Sequence, residues 1–252
     1  MNHPENTSNT ARVEVLNRHA ASQVVVICEH ASAFIPPEFK DLGLAPDALE
    51  GHVVWDPGAK PVAEKMAEHL DAVLVAAGVS RLVYDCNRPP EAEDAMPARS
   101  ELVEVPGNQN LTVLEKARRV SAWYEPFRDA VSAVLSAKTA PVIVTVHSFT
   151  PVYHGRTRDV EIGVLHDQDT RLADVLLAQP PASYDVRRND PYGPQDGVTH
   201  TLREHALPRG CPNVMLEVRN DLIADAKAQA RMATLLADWV SGAVSAVQAD
   251  AC

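Results

Sequence analysis

Two short runs, Val24-Val25-Val26-Ile27-Cys28 and Val142-Ile143-Val144-Thr145-Val146, show almost no polar alternation, and each leads into a histidine: His30 after Glu29, and His147 directly. Unbroken β-branched runs of this length mark strands buried on both faces, as in a parallel sheet. They predict strands over Ser22–Cys28 and Pro141–Val146. Between them, Val62, Met66, Leu70, Val73 and Leu74 recur at helical spacing, which predicts a helix over Pro61–Ala77 with Pro61 in its first turn and Gly78 at its end. A further strand over Arg81–Cys86 is expected to stop at Pro89 and Pro90. Strand, helix, strand is the βαβ unit of a parallel sheet.

Residues from Glu91 to about Asn110 carry Pro, Glu and Gly without periodicity and read as a long surface loop or lid. From Leu111 to Ala137 an amphipathic stretch places Val113, Ala117, Val120, Tyr124 and Phe127 on one face, with Pro126 expected to kink or divide it. Strands are then predicted at Glu161–Leu165, Tyr184–Arg187 and Val214–Val218, short helices at Thr170–Leu177 and Thr199–Ala206, and a closing helix at Leu222–Val247. The turn signal Asn189-Asp190-Pro191-Tyr192-Gly193-Pro194 follows the second of these strands. The pattern gives an α/β fold in a single domain built on a parallel sheet, with a flexible N-terminal segment expected over residues 1–20.

Composition changes this picture mainly by exclusion. The net charge of −11, with no cluster of Lys and Arg, argues against a nucleic-acid partner. No apolar stretch approaches the roughly 20 residues of a membrane span, and the N-terminus lacks the pattern of a secretory signal, so a cytoplasmic location is expected. Cys28, Cys86, Cys211 and Cys252 stand far apart with no C-x-x-C spacing, which leaves reduced thiols and core packing as the expectation.

Ligands of open α/β sheets collect outside the carboxyl ends of the strands, and polar residues gather there four times: Glu29-His30, Asn87-Arg88, His147-Ser148, and Glu217 with Arg219-Asn220. His30 and His147 supply two of the three protein ligands that a catalytic zinc needs. The third is Asp56, in Trp55-Asp56-Pro57-Gly58-Ala59, or else Glu29, whose side chain points to the opposite strand face from His30 unless the chain turns there. Asp56 is equally suited to a plain turn or N-cap role. Glu217, in the otherwise apolar Val214-Met215-Leu216-Glu217-Val218, either pairs with Arg219 or serves as a general base beside a metal. Arg88, Arg158 and Arg219 are candidates for a substrate carboxylate. His52, His154, His166, His200 and His205 fall at solvent-facing or loop positions, with only His154 and His200 considered as substrate contacts.

Taken in order, Cys28-Glu29-His30-Ala31-Ser32, Trp55-Asp56-Pro57-Gly58-Ala59, Ser80-Arg81-Leu82-Val83-Tyr84-Asp85-Cys86-Asn87-Arg88-Pro89, His147-Ser148-Phe149-Thr150-Pro151 and Glu217-Val218-Arg219-Asn220-Asp221 resemble the N-formylglutamate amidohydrolase family. The likeness runs from about Val24 to Ile223. It implies a zinc-dependent amidohydrolase with a phosphorylase/hydrolase-like fold, similar to zinc carboxypeptidases: a mixed, mostly parallel sheet between helices. By that resemblance His30, Asp56 and His147 match the metal positions and Glu217 the catalytic acid/base. Asn87, Arg88 and Arg219 match substrate-binding positions, and Ser148 and Arg158 are further candidates.

The expected partner is a small N-acyl amino acid, N-formyl-L-glutamate first, as in histidine degradation; a homo-oligomer is compatible. Ala33 stands where an asparagine usually follows His-Ala-Ser, and the segment after Arg158 lacks the family's Pro-Trp pair. Two other readings fit the same residues: a metal-free amidase with Cys28 as nucleophile and His147 as base, and a metal- or small-ligand-binding protein without catalysis.

Overall fold

A computed structural model describes residues 12–250. Its centre is a seven-stranded sheet in the order β1-β3-β2-β6-β11-β9-β10, built from β1 (Val13–Leu16), β2 (Val24–Cys28), β3 (Val73–Ala77), β6 (Val142–Phe149), β9 (Ile162–Leu165), β10 (Val186–Arg188) and β11 (Asn213–Arg219). The run β3-β2-β6-β11 is parallel, β1 and β9 join it antiparallel, and β10 lies parallel to β9. The predicted mixed, mostly parallel α/β fold is therefore what the chain forms. Every residue of β2, β3 and β6 is buried, as their lack of alternation required.

Each face of the sheet has its own apolar layer. Val24, Val26, Leu74, Val144 and Leu216 point toward α2 (Ala59–His69), α5 (Arg171–Ala178) and α6 (Ala226–Asp250). Val25, Ile27, Val75, Ile143 and Met215 meet Phe127, Val131 and Leu135 of α4 (Glu125–Ser136) and the loops above the strand ends. On that second face the alternation continues to His147 and Glu217, which the parallel register of β6 and β11 places side by side.

Several predicted boundaries move. The helix expected over Pro61–Ala77 ends at His69; Asp71, at φ +47°, reverses the chain, and Val73–Ala77 is β3. Val73 and Leu74 fit both the helical repeat and a buried strand, and pairing with β2 decides between them. The expected strand Arg81–Cys86 is a buried turn instead. The Ser80 hydroxyl accepts from the Leu82 amide and donates to the Val54 carbonyl, while Val79, Leu82, Val83 and Tyr84 fill the core. The βαβ unit is thus β2-α2-β3.

The long amphipathic segment divides as expected into α3 (Val113–Arg119) and α4, joined by a wide turn over Val120–Tyr124, with Pro126 in the first turn of α4. A capping box between Thr112 and Glu115 starts α3. The Glu91–Asn110 stretch carries a small hairpin, β4 (Arg99–Ser100) with β5 (Val103–Glu104), and buried Asn108 ties it to the carbonyls of Leu82 and Pro97. Val152–Tyr153 and Arg156–Thr157 form a second hairpin, β7 with β8. Of the expected flexible N-terminal segment, residues 1–11 lie outside the described part, and Val13–Leu16 pair with β3.

Gly58 holds the turn between Asp56 and α2 at φ +81°, and a Cβ there would meet the Ile223 carbonyl at 2.6 Å. Gly58→Ala is expected to lower unfolding free energy by roughly 2–4 kcal/mol, the left-handed backbone and the clash adding together. Chemical denaturation of both proteins checks it.

His205 is 4% exposed, not solvent-facing, and His166 is buried too. Burial, with Arg209 beside it, pushes the His205 pKa down to about 4. The unfolded chain then takes up a proton near pH 6.5 that the folded chain resists until about pH 4, so stability falls as pH drops through that window. The expected loss is up to roughly 3 kcal/mol. Melting temperatures at pH 7.5 and 5.0 should show His205→Leu losing less on acidification than the parent.

Candidate metal centre

The carboxyl ends of β2, β6 and β11 open into one cavity of about 460 Å³, lined among others by His30, Asp56, His147 and Glu217. His30 follows β2, and its carbonyl accepts from the Asp56 amide, so the first strand and the loop before α2 are coupled at the site. His30 Nδ1 lies 3.2 Å from His147 Nδ1 and 3.2 Å from Asp56 Oδ2, and His147 Nδ1 lies 3.0 Å from the same oxygen. Three ligand atoms about 2.1 Å from a tetrahedral ion stand about 3.4 Å apart, so this near-equilateral triangle fits one divalent ion with little adjustment. All three residues are buried, and they form a group of metal-site spacing among the described residues.

The outer nitrogens explain the orientation of both rings. His30 Nε2 is 2.7 Å from Asp85 Oδ1, and His147 Nε2 is 3.0 Å from Glu29 Oε2, the latter an ion-pair approach off the line of a straight hydrogen bond. Carboxylates behind the imidazoles hold the tautomer that leaves each Nδ1 free for a metal. Ile27 pairs with Thr145, so the next positions on that face are Glu29 and His147; Glu29 therefore stands behind a ligand, and Asp56 faces the centre.

Asp85 is held further by the Asn87 amide and by Arg81, which also reaches Asp56. Burial opposes charge on His147, but Glu29 and Asp56 raise its pKa well above the usual value; His30 is raised likewise, with Asp85 and Asp56 outweighing burial and Arg81. Asp85 and Asp56 are driven down against burial, chiefly by His30. Glu217 shifts the opposite way. Burial pushes its pKa to about 7, Asp56 adding to the rise while His147 opposes it, and its Oε2 has no hydrogen-bond partner.

The candidate substrate residues divide. Arg158 lines the cavity, its guanidinium 4.3 Å from the Tyr153 ring centre and 4.8 Å from that of Tyr192. Asn87 and Arg88 also line it, and both are tied to neighbours: Asn87 to the Val198 carbonyl and the Thr201 amide, Arg88 through Nε to Asp94 and through Nη1 to the carbonyls of Asn87 and Gly197. Ser148 supports the centre, its amide on Asp56 and its hydroxyl on the Pro57 carbonyl.

Arg219 does not line the cavity. It reaches Asp221, Glu161 and the carbonyls of Arg158 and Asp159, and it does not pair with Glu217. His154 packs edge-on against Tyr153 and His200 bonds Tyr124; neither lines the cavity, whereas His52 does, bound to Glu101. Arg81, Asp85, Tyr192 and Glu101 are site residues that sequence reasoning passed over, although Arg81 and Asp85 stand four apart within a motif it singled out.

Cys28 belongs to the apolar layer against α2 and α6, and burial, with Asp56 and Glu29, raises its thiol pKa well above the ordinary value. A thiol so placed is a poor nucleophile, which removes the metal-free cysteine reading. Cys86 and Cys211 are likewise buried and unbridged; Cys252 lies outside the described residues.

The fold resembles two solved structures. A gene product of Agrobacterium tumefaciens matches with 53% identity and a TM-score of 0.92 over 94% of this chain and 96% of that one. An N-formylglutamate amidohydrolase from Ralstonia eutropha matches with 19% identity and a TM-score of 0.62 over 92% and 98%, a likeness of fold. No curated protein matches significantly. The family model for N-formylglutamate amidohydrolase matches residues 22–224, a stretch that contains every residue of the centre from Glu29 to Glu217, and the chain belongs to that family.

Proposed function

We infer that the protein hydrolyses the amide C–N bond of small N-acyl amino acids with a divalent ion, zinc first among candidates, held by His30, Asp56 and His147. The carrying observation is the triangle of Nδ1, Nδ1 and Oδ2 atoms 3.0–3.2 Å apart, backed by buried carboxylates and placed beside Glu217. A bound zinc supplies Lewis acidity, polarising the acyl carbonyl and bringing the pKa of its water toward about 7.

Glu217 is the proton carrier of this reading. Buried beside His147 with its Oε2 unpartnered, it takes a proton from the attacking water as the oxygen joins the acyl carbon. It then gives that proton to the leaving nitrogen as the C–N bond breaks, which yields a carboxylate and a free amino acid. Arg81 steadies Asp56 and Asp85 during the cycle, and Arg158 is the anchor for the substrate carboxylate. No helix of the described residues is long and apolar enough to cross a membrane.

N-formyl-L-glutamate is the reference substrate that the family name provides. Product release from N-formyl, N-acetyl and N-succinyl amino acids, followed before and after chelation, tests the proposal. Activity lost to the chelator and restored by zinc is expected. Turnover indifferent to chelation, or none from metal-loaded protein, would overturn it.

A further inference from the structure

The charges on the cavity wall are nearly all spoken for. Arg81 lies against Asp56 and Asp85, at 3.4 and 3.0 Å, and Arg88 against Asp94 at 2.6 Å. His52 faces Glu101. Among the described residues of the wall, Arg158 is the arginine with no carboxylate partner. Its guanidinium is instead fixed by uncharged groups: the Tyr192 hydroxyl accepts from Nη2 at 2.9 Å, the Thr150 carbonyl lies 3.4 Å from Nη1, and the rings of Tyr153, Tyr192 and Phe149 surround it. A guanidinium held in place by aromatic faces keeps its full charge and loses little freedom when a carboxylate arrives.

The rest of the wall is unfavourable to a second negative charge. Glu101 and Asp196 both line the cavity. Glu101 is already supplied by His52 and the His154 amide, and Asp196 by the Gly193 amide and Gln195. A second substrate carboxylate would find only compensated arginines and two carboxylates of its own sign. Like charges brought together in a confined site discriminate strongly between ligands of equal shape.

We propose that the cavity takes N-acyl amino acids with a single carboxylate, bound by Arg158, and a neutral side chain, and that it discriminates against dicarboxylates, N-formyl-L-glutamate included. This rests on the amidohydrolase reading and narrows its substrate class. N-formyl-L-glutamine is the sharpest probe, because it differs from the glutamate compound by one charge at nearly constant shape.

Calorimetric titration of zinc-loaded Glu217→Gln protein, in which turnover is suppressed, with N-formyl-L-glutamine, N-formyl-L-glutamate and the α-carboxamide of N-formyl-L-glutamine separates the contributions. The glutamine compound should bind about 10-fold or more tighter than the glutamate compound, and tighter than its carboxamide by a similar factor. In the same background Arg158→Gln should erase the preference for free carboxylate over carboxamide, and Arg158→Lys, which keeps the charge, should restore part of it.

Equal or tighter binding of the glutamate compound, a preference that survives Arg158→Gln, or no binding of any of the three would overturn the inference. The underlying reading fails separately: if the parent enzyme, loaded with zinc, hydrolyses no N-acyl amino acid although these bind as expected, the amidohydrolase proposal falls and the selectivity stands.

Discussion

Glu217→Gln is expected to leave metal content unchanged while lowering kcat by about 10²–10⁴-fold, the usual contribution of a positioned general acid/base. Glutamine keeps the shape of the side chain and cannot carry the proton. The effect should appear mainly in kcat, because Glu217 lines the cavity beside His147 without being one of the three converging ligand atoms. Metal analysis and steady-state kinetics on the same preparation check both halves. Undiminished turnover would remove Glu217 from the chemistry. A protein that binds metal and substrate but turns over neither before nor after the exchange would be a binding protein, the non-catalytic alternative.

Removing the shared oxygen of the centre should cost metal as well as turnover. Asp56 Oδ2 lies within 3.2 Å of both Nδ1 atoms and accepts from the Ser148 amide. Asp56→Ala takes away one ligand and also leaves His30, His147 and Arg81 facing one another with less negative charge between them. The expected outcome is loss of bound metal after dialysis and a fall in kcat/KM of about 10³-fold. Glu29→Gln offers a graded comparison, since it acts behind His147: metal should be retained with affinity weaker by about 10–100-fold. Metal dissociation constants for the parent and the two variants, ordered parent, Glu29→Gln, Asp56→Ala from tightest to weakest, would establish the ranking.

His30 and His147 were legible because buried parallel strands are written as unbroken apolar runs, and a histidine at the end of such a run has the sheet's open edge before it. Asp85 and Arg81 were not, because Arg81–Cys86 is apolar enough to pass for a strand; the turn organised by Ser80 depends on the Val54 carbonyl, far away in sequence.

Arg219 stands apart from Glu217 for a related reason. Alternation puts it on the face of Glu217, but its amide pairs with the Glu161 carbonyl at the sheet's margin, where Glu161 and Asp221 capture the guanidinium. Asn87 and Arg88 line the cavity as expected, yet their hydrogen bonds to distant carbonyls give them work that no local spacing reveals. The choice between Asp56 and Glu29 likewise needed the register of β2 against β6, which places Glu29 beside His147.

The proposed chemistry requires a metal at the meeting point of β2, β6 and the loop before α2. Anomalous X-ray scattering at the zinc edge from crystals of zinc-loaded protein tests it most directly. A single peak about 2.1 Å from His30 Nδ1, His147 Nδ1 and Asp56 Oδ2 is the predicted result. A fully active protein with no ion there, or an ion bound elsewhere while these three side chains stay together without it, would contradict it.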